Sequence, residues 1–95
     1  MLHILTKAPN SDAAQQMLQA VGDDDAIVLT EAGVQAALHR EWAGFQLPSA
    51  RIYLLAEDVT AWGLDEIVMD QALTIVDMDG FVALTEQHVQ TLTWY

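Results

Sequence analysis

The side chains able to do chemistry in this chain gather where its apolar runs end. Thr6 and Lys7 follow the first run, Thr30 and Glu31 the second, Glu57 and Asp58 the third, and Asp77 and Asp79 the fourth. Carboxylates around a single lysine could hold Mg²⁺ in the manner of a phospho-acceptor site, since Mg²⁺ takes hard oxygen ligands. That chemistry needs an acid pair after the first run and a lysine after the last, and the sequence has neither. Helix caps and turns account for the same acids, because a short carboxylate accepts backbone N–H groups that a helix or turn leaves unpaired. A Mg²⁺-dependent switch built on Glu31, Asp58 and Asp77 stands as one alternative.

The remaining candidates are isolated. Asp23-Asp24-Asp25 lacks the alternate spacing, the glycine and the distal glutamate of a calcium loop, and reads as a solvated turn. Ser11 and Ser49 lack the strand–turn–helix setting of a nucleophile elbow, and Ser11 is better used as a helix cap. The glycines are scattered, with no phosphate-binding loop among them. His3 lies in an apolar strand, His39 near a helix end and His88 on an apolar stripe; none has a second imidazole at i+2 or i+4. A lone imidazole titrates near neutral pH, so His88 is retained as a candidate functional residue. The chain has no cysteine, which removes disulfides, thiolate metal sites and any persulfide carried on this chain. No catalytic, cofactor-binding or metal-ligating residue is assigned.

The elements that must position these residues follow from the apolar pattern. Leu2-His-Ile-Leu5 is strand-like and starts early enough to be held near the middle of a sheet. Ser11 can cap a helix in which Ala14, Met17, Leu18 and Val21 recur at helical spacing before Gly22. Ala26–Leu29 is a continuous apolar run, as in a strand covered on both faces. Val34, Ala37 and Leu38 give a short helix ending near Arg40. The irregular stretch from Glu41 to Ser49 carries Trp42, Phe45 and Leu47 between Gly44 and Pro48; these side chains either tuck beneath the loop or face a partner. Ile52–Leu55 is a third strand, Asp58 can cap a brief helix Val59–Trp62, and Glu66–Met69 suits a helical turn. Leu73, Ile75 and Val76 form a buried fourth strand at a sheet edge. Asp79 then caps a helix in which Phe81, Leu84, His88 and Leu92 share a face. Thr91–Tyr95 alternates and suits a short final strand with Leu92 and Trp94 on one side. Strands alternating with helices predict right-handed crossovers: an α/β fold of three layers, α/β/α, with a mostly parallel sheet of four to five strands in one domain, residues 1–95.

Bulk properties narrow the function. Fourteen acids against Lys7, Arg40 and Arg51 give a formal charge of −11. Such a chain repels nucleic acid and anionic membranes and favours a partner with a basic face. Its hydrophobic fraction of 53% exceeds the roughly 45–50% usual for soluble domains, while a chain this short buries only about 60–65% of its unfolded surface. The surplus predicts an oligomer. With no signal-peptide pattern and no apolar run near the ~20 residues that span a bilayer, a cytoplasmic protein is expected.

Read together, the motifs resemble a family. Met1-Leu-His3, Pro9, Glu31-x-Gly33-Val34, Leu54-x-Ala56-x-Asp58 with Gly63, Asp77-x-x-Gly80-Phe81-Val82-x-Leu84-x-x-x-His88 and Trp94 run in the order of the DsrH/TusB family across almost the whole chain. Ala32 and Trp62 depart from the pattern, at turn positions where an acid and an arginine are usual. The resemblance implies a DsrE-like fold without cofactors. It also implies membership of a TusBCD-type complex, two copies each of this subunit with TusC-like and TusD-like chains. That complex relays persulfide sulfur from a TusA-like donor to a TusE-like acceptor for 2-thiolation of the tRNA wobble uridine. The related DsrEFH complex serves sulfur oxidation. With no cysteine here, the active thiol is expected on the TusD-like partner and this chain is expected to be non-catalytic. Trp42, Phe45, Phe81, His88 and Trp94 are the candidate interface residues. A homo-oligomeric ligand-binding module is the remaining alternative, and self-association of the chain expressed alone would not by itself favour it.

Overall fold

A computed structural model describes residues 1–47 and 51–95; the expectations for Pro48 and Ser49 fall outside these residues. Five strands, β1 (Leu2–Leu5), β2 (Ala26–Leu29), β3 (Arg51–Leu55), β4 (Ile75–Val76) and β5 (Thr91–Trp94), form one sheet in the order β4-β3-β2-β1-β5. Every pairing is parallel. The α/β expectation holds, with β1 inside the sheet as its early position suggests. The helices are α1 (Asp12–Ala20), α2 (Ala56–Ala61), α3 (Asp65–Asp70) and α4 (Met78–Gln87), with 3₁₀ helices over Glu31–Leu38 and Ala43–Gln46.

Side chains alternate across a strand, so the register sorts the sheet into two faces. Leu5, Ile27, Leu29, Ile52 and Leu54 point to one face. They pack with Ala14 and Met17 of α1, Val34 and Ala37 of the first 3₁₀ helix, Val59 of α2 and Val68 of α3. Leu2, Ala26 and Val28 point to the other face and meet Leu84 of α4, with Ile4, Tyr53, Val76 and Phe81 packed partly buried around them. Connection geometry explains the split. Stepping from β1 to β4 moves one way across the sheet, so right-handed crossovers place all those helices on one side. The return from β4 to β5 runs the opposite way and puts α4 on the other side.

Local chemistry sets the details. Ser11 caps α1 by accepting the Ala14 N–H at 3.2 Å. Gly33 must be glycine, since a Cβ there would lie 2.5 Å from the Leu5 carbonyl oxygen. Gly63 sits at φ +69° after α2, a left-handed conformation that glycine adopts without penalty.

Several boundaries differ from the sequence reading. The fourth strand shrinks to Ile75–Val76 and is largely exposed, because an edge strand lacking a neighbour buries little. Asp77, not Asp79, caps α4, accepting the Gly80 N–H at 2.8 Å. That helix stops at Gln87, so His88 follows it and Leu92 belongs to β5. Asp58 does not cap α2, which begins at Ala56; its carboxylate instead accepts the Glu31 N–H at 2.8 Å.

Candidate functional site

The carboxyl ends of the strands, where ligands bind in open α/β sheets, hold little machinery. Thr6 donates its hydroxyl to the Trp94 carbonyl and Thr30 to that of Leu5. Asp58 is occupied by the Glu31 backbone. Glu31, Asp58 and Asp77 are therefore a strained turn, its clamp and a helix cap: Glu31 itself lies at φ +49°. Among the described residues no group of three potential ligands gathers to hold a metal. Two depressions, of about 200 Å³ beside Pro9, His39 and Trp42 and about 260 Å³ beside Arg40, Phe45 and Leu73, fall below the usual size of small-molecule sites.

The candidate interface residues divide into three groups. Trp42 is buried at 8% exposure, donates its indole N–H to the Pro9 carbonyl at 3.0 Å and meets Phe45 edge-on. This pair anchors the irregular loop to the larger core, which also takes in the half-buried Leu47. Phe81 and His88 belong to α4 and its end, both half-buried, on the side of the sheet with a single helix. Beside Phe81, Met78 and Val82 are 43% and 47% exposed. They are spaced i, i+4 and so form one stripe on α4, flanked in sequence by Asp77, Asp79 and Glu86.

Trp94 belongs to a third arrangement, built around a residue that the sequence left without partners. His3 is fully buried in β1. Its Nδ1 lies 3.1 Å from the Trp94 Nε1, and its Nε2 lies 2.9 Å from Asp25 Oδ2. An indole N–H can only donate. His3 Nδ1 therefore accepts, and Nε2 carries the ring proton and donates it to Asp25. The two rings lie nearly parallel, 24° apart, with centroids at 6.1 Å. Asp25 also accepts from the Gly22 N–H at 2.9 Å and from the N-terminal ammonium at 2.9 Å. Burial pushes this carboxyl up, but the Gly22 N–H, the ammonium and His3 outweigh it and hold the group well below the usual carboxylate range.

Asp25 is thus not the solvated turn acid expected from its run of three; Asp23 and Asp24 keep that role. The missed signal was His3 itself. A histidine inside a strand covered on both faces needs hydrogen-bond partners, but sequence separations of 22 and 91 residues hide which ones.

Comparison with known proteins agrees with this architecture. A family described as DsrH like protein matches residues 7–91. Protein TusB of Pectobacterium parmentieri is 34% identical over 99% of this chain and all of its own length. Protein TusB of Pectobacterium carotovorum subsp. carotovorum is 36% identical with the same coverage. Among solved structures, protein Tm0979 of Thermotoga maritima shares the fold with a TM-score of 0.67 at 24% identity, over 93% of this chain and 94% of its own.

Proposed function

The chain belongs to the DsrH family, and on that premise we propose that it is a non-catalytic subunit of a TusBCD-like sulfur-relay complex serving 2-thiolation of the tRNA wobble uridine. The observation that carries the reading is chemical: none of the 95 residues is a cysteine, so no thiol here can take up a persulfide. The relaying thiol then sits on a TusD-like partner, with a TusC-like chain completing a particle of two copies each. TusA-like and TusE-like proteins deliver and collect the sulfur. The curated relatives are named TusB, which supports tRNA thiolation over sulfur oxidation. No helix among the described residues is long and apolar enough to cross a membrane. The complex is placed in the cytoplasm, with this chain as one domain, residues 1–95.

The face of α4 suits the role of contact surface. One helix leaves Phe81, His88, Ile4 and Tyr53 half-exposed over an apolar sheet, and Met78 and Val82 beside them. Trp94 lies on the opposite face, packed against the larger core beside Leu5, and is not part of that surface. Phe45 and Trp42 serve the chain's own core first, and replacing Trp42 would act through folding. The acids around α4 and the charge of −11 favour a basic rim on the partner.

Co-expression of the tagged chain with the TusC-like and TusD-like proteins of its own source, followed by size-exclusion chromatography with light scattering, tests the assignment. A stable particle with two copies of each chain is expected. Phe81→Ala is expected to weaken it by ~2 kcal/mol. A chain that elutes alone beside those partners would overturn the reading.

A further inference from the structure

The His3–Asp25–Trp94 contact has no part in relaying sulfur or in the α4 surface, yet it places a titratable ring at the root of an edge strand. We infer that it is a proton-operated clasp: uptake of one proton at His3 Nδ1 releases the Trp94 indole and loosens the carboxyl end of β5 from β1.

The geometry allows one hydrogen-bond pattern. Trp94 Nε1–H needs an acceptor, and His3 Nδ1 offers its lone pair at 3.1 Å. A proton from solvent that binds this lone pair turns the acceptor into a second donor. Two N–H groups then face each other inside a ring contact with no exposure at His3, and the indole must turn away to recover a partner. On the opposite side of the ring, Asp25 accepts from Nε2 in both states and compensates the added charge. The elements packed against His3 add no charge beside the ring, whereas the N-terminal ammonium shares Asp25 with it. β2 and β5 contain no charged residue, and α1, which packs over β1 and β5, carries a single one, the exposed Asp12. The N-terminal ammonium reaches the site through Asp25 Oδ1.

The response is local because β5 is an edge. It pairs with β1 alone, and beyond its ladder the end near Trp94 is tied down by the Thr6 N–H and hydroxyl bonds to the Trp94 carbonyl. The inner strands are held by the larger core, against which Trp94 packs only partly buried. Trp42, whose indole donates to the Pro9 carbonyl, serves as an internal reference that does not depend on His3.

Proton NMR of the full chain tests the clasp between about pH 8 and about pH 5, the range in which an imidazole changes charge. The His3 ring signal reports protonation, and the three indole N–H signals are assigned by Trp→Phe replacement. As His3 takes up its proton, the Trp94 indole and the β5 amides bonded to β1 should lose exchange protection by roughly tenfold or more beyond the intrinsic pH trend. Trp42 should follow that trend alone. His3→Asn, which can present an amide oxygen near the Nδ1 position, should abolish the step. Trp94→Phe should abolish it in the β5 amides even if the His3 variant fails to fold. A Trp94 signal that stays protected while His3 is protonated would overturn the inference. So would a His3 ring that does not titrate in this range, or loss of protection shared equally by Trp42.

Discussion

The two faces of the sheet are built from the same strands and reach different degrees of completion. On one face four helical segments cover Leu5, Ile27, Leu29 and Leu54, and all four strand residues are fully buried. On the other, α4 is the one helix among the described residues over Leu2, Ala26 and Val28, leaving Ile4, Tyr53 and Phe81 half-buried. Strand composition does not cause this, since β1 and β2 are apolar on both sides. Connection order does: three crossovers in one direction and one return leave the second face one helix. A partner gains most by covering the unfinished face, because apolar area removed from water is the main source of association energy.

The comparison is tested most severely by matched leucine truncations. Leu54→Ala, on the filled face, should cost about 4 kcal/mol, because close-packed surroundings collapse little around the cavity. Leu84→Ala, under α4, should cost about 2–3 kcal/mol, since its neighbours are half-exposed and can relax. Urea unfolding of the isolated variants measures both. Equal losses would mean that the two faces are packed alike.

Gly33→Ala asks whether the filled face has any slack. The added Cβ would meet backbone, the Leu5 carbonyl, which cannot rotate aside as a side chain does. A loss of about 2–3 kcal/mol is expected, read as a lower urea midpoint at unchanged slope.

Asp25→Asn probes the polar contact built into the filled face and should cost roughly 2 kcal/mol near neutral pH. The sign of its pH dependence follows from a carboxyl that folding lowers. Such a group adds stability that is fully present above the unfolded carboxylate range, near pH 4, and is lost as pH falls towards the folded value. Parent and variant Tm should therefore converge as the solution is acidified below about pH 4. A constant gap would mean that the ionised carboxylate is not what stabilises the site.

What could be read from the sequence divides along physical lines. A mostly parallel sheet of four to five strands and the early inner strand follow from apolar runs alternating with helical spacing, because burial on both faces leaves a continuous pattern. The family motifs, from Met1-Leu-His3 to Trp94, were legible for the same reason, since they run along the chain in order. Tertiary partners were not. Asp25 looks like Asp23 and Asp24 until the sheet brings His3 to it. Trp42 suits either a place beneath its loop or a partner's surface until its indole is seen to donate to the Pro9 carbonyl. His88 and Leu92 continue the spacing of the last helix in sequence, although the chain must leave the helix at Gln87 to reach the edge beside β1.

The smallest effect concerns how α4, which covers the second face, begins. Two aspartates flank Met78, and spacing alone does not decide between them. The structure makes Asp77 the cap, with extended backbone and its carboxylate on the Gly80 N–H, while Asp79 lies within the first turn. Losing a cap leaves a helix N–H unpaired, so Asp77→Ala should cost about 1 kcal/mol. Asp79 offers only its charge near the positive helix end, and Asp79→Ala should cost roughly 0.3–0.5 kcal/mol, less in high salt. The ratio carries the argument. A larger loss at Asp79 would shift the start of α4 by two residues and turn Phe81 and Leu84 away from Leu2 and Val28, undoing the contact on which the second face depends.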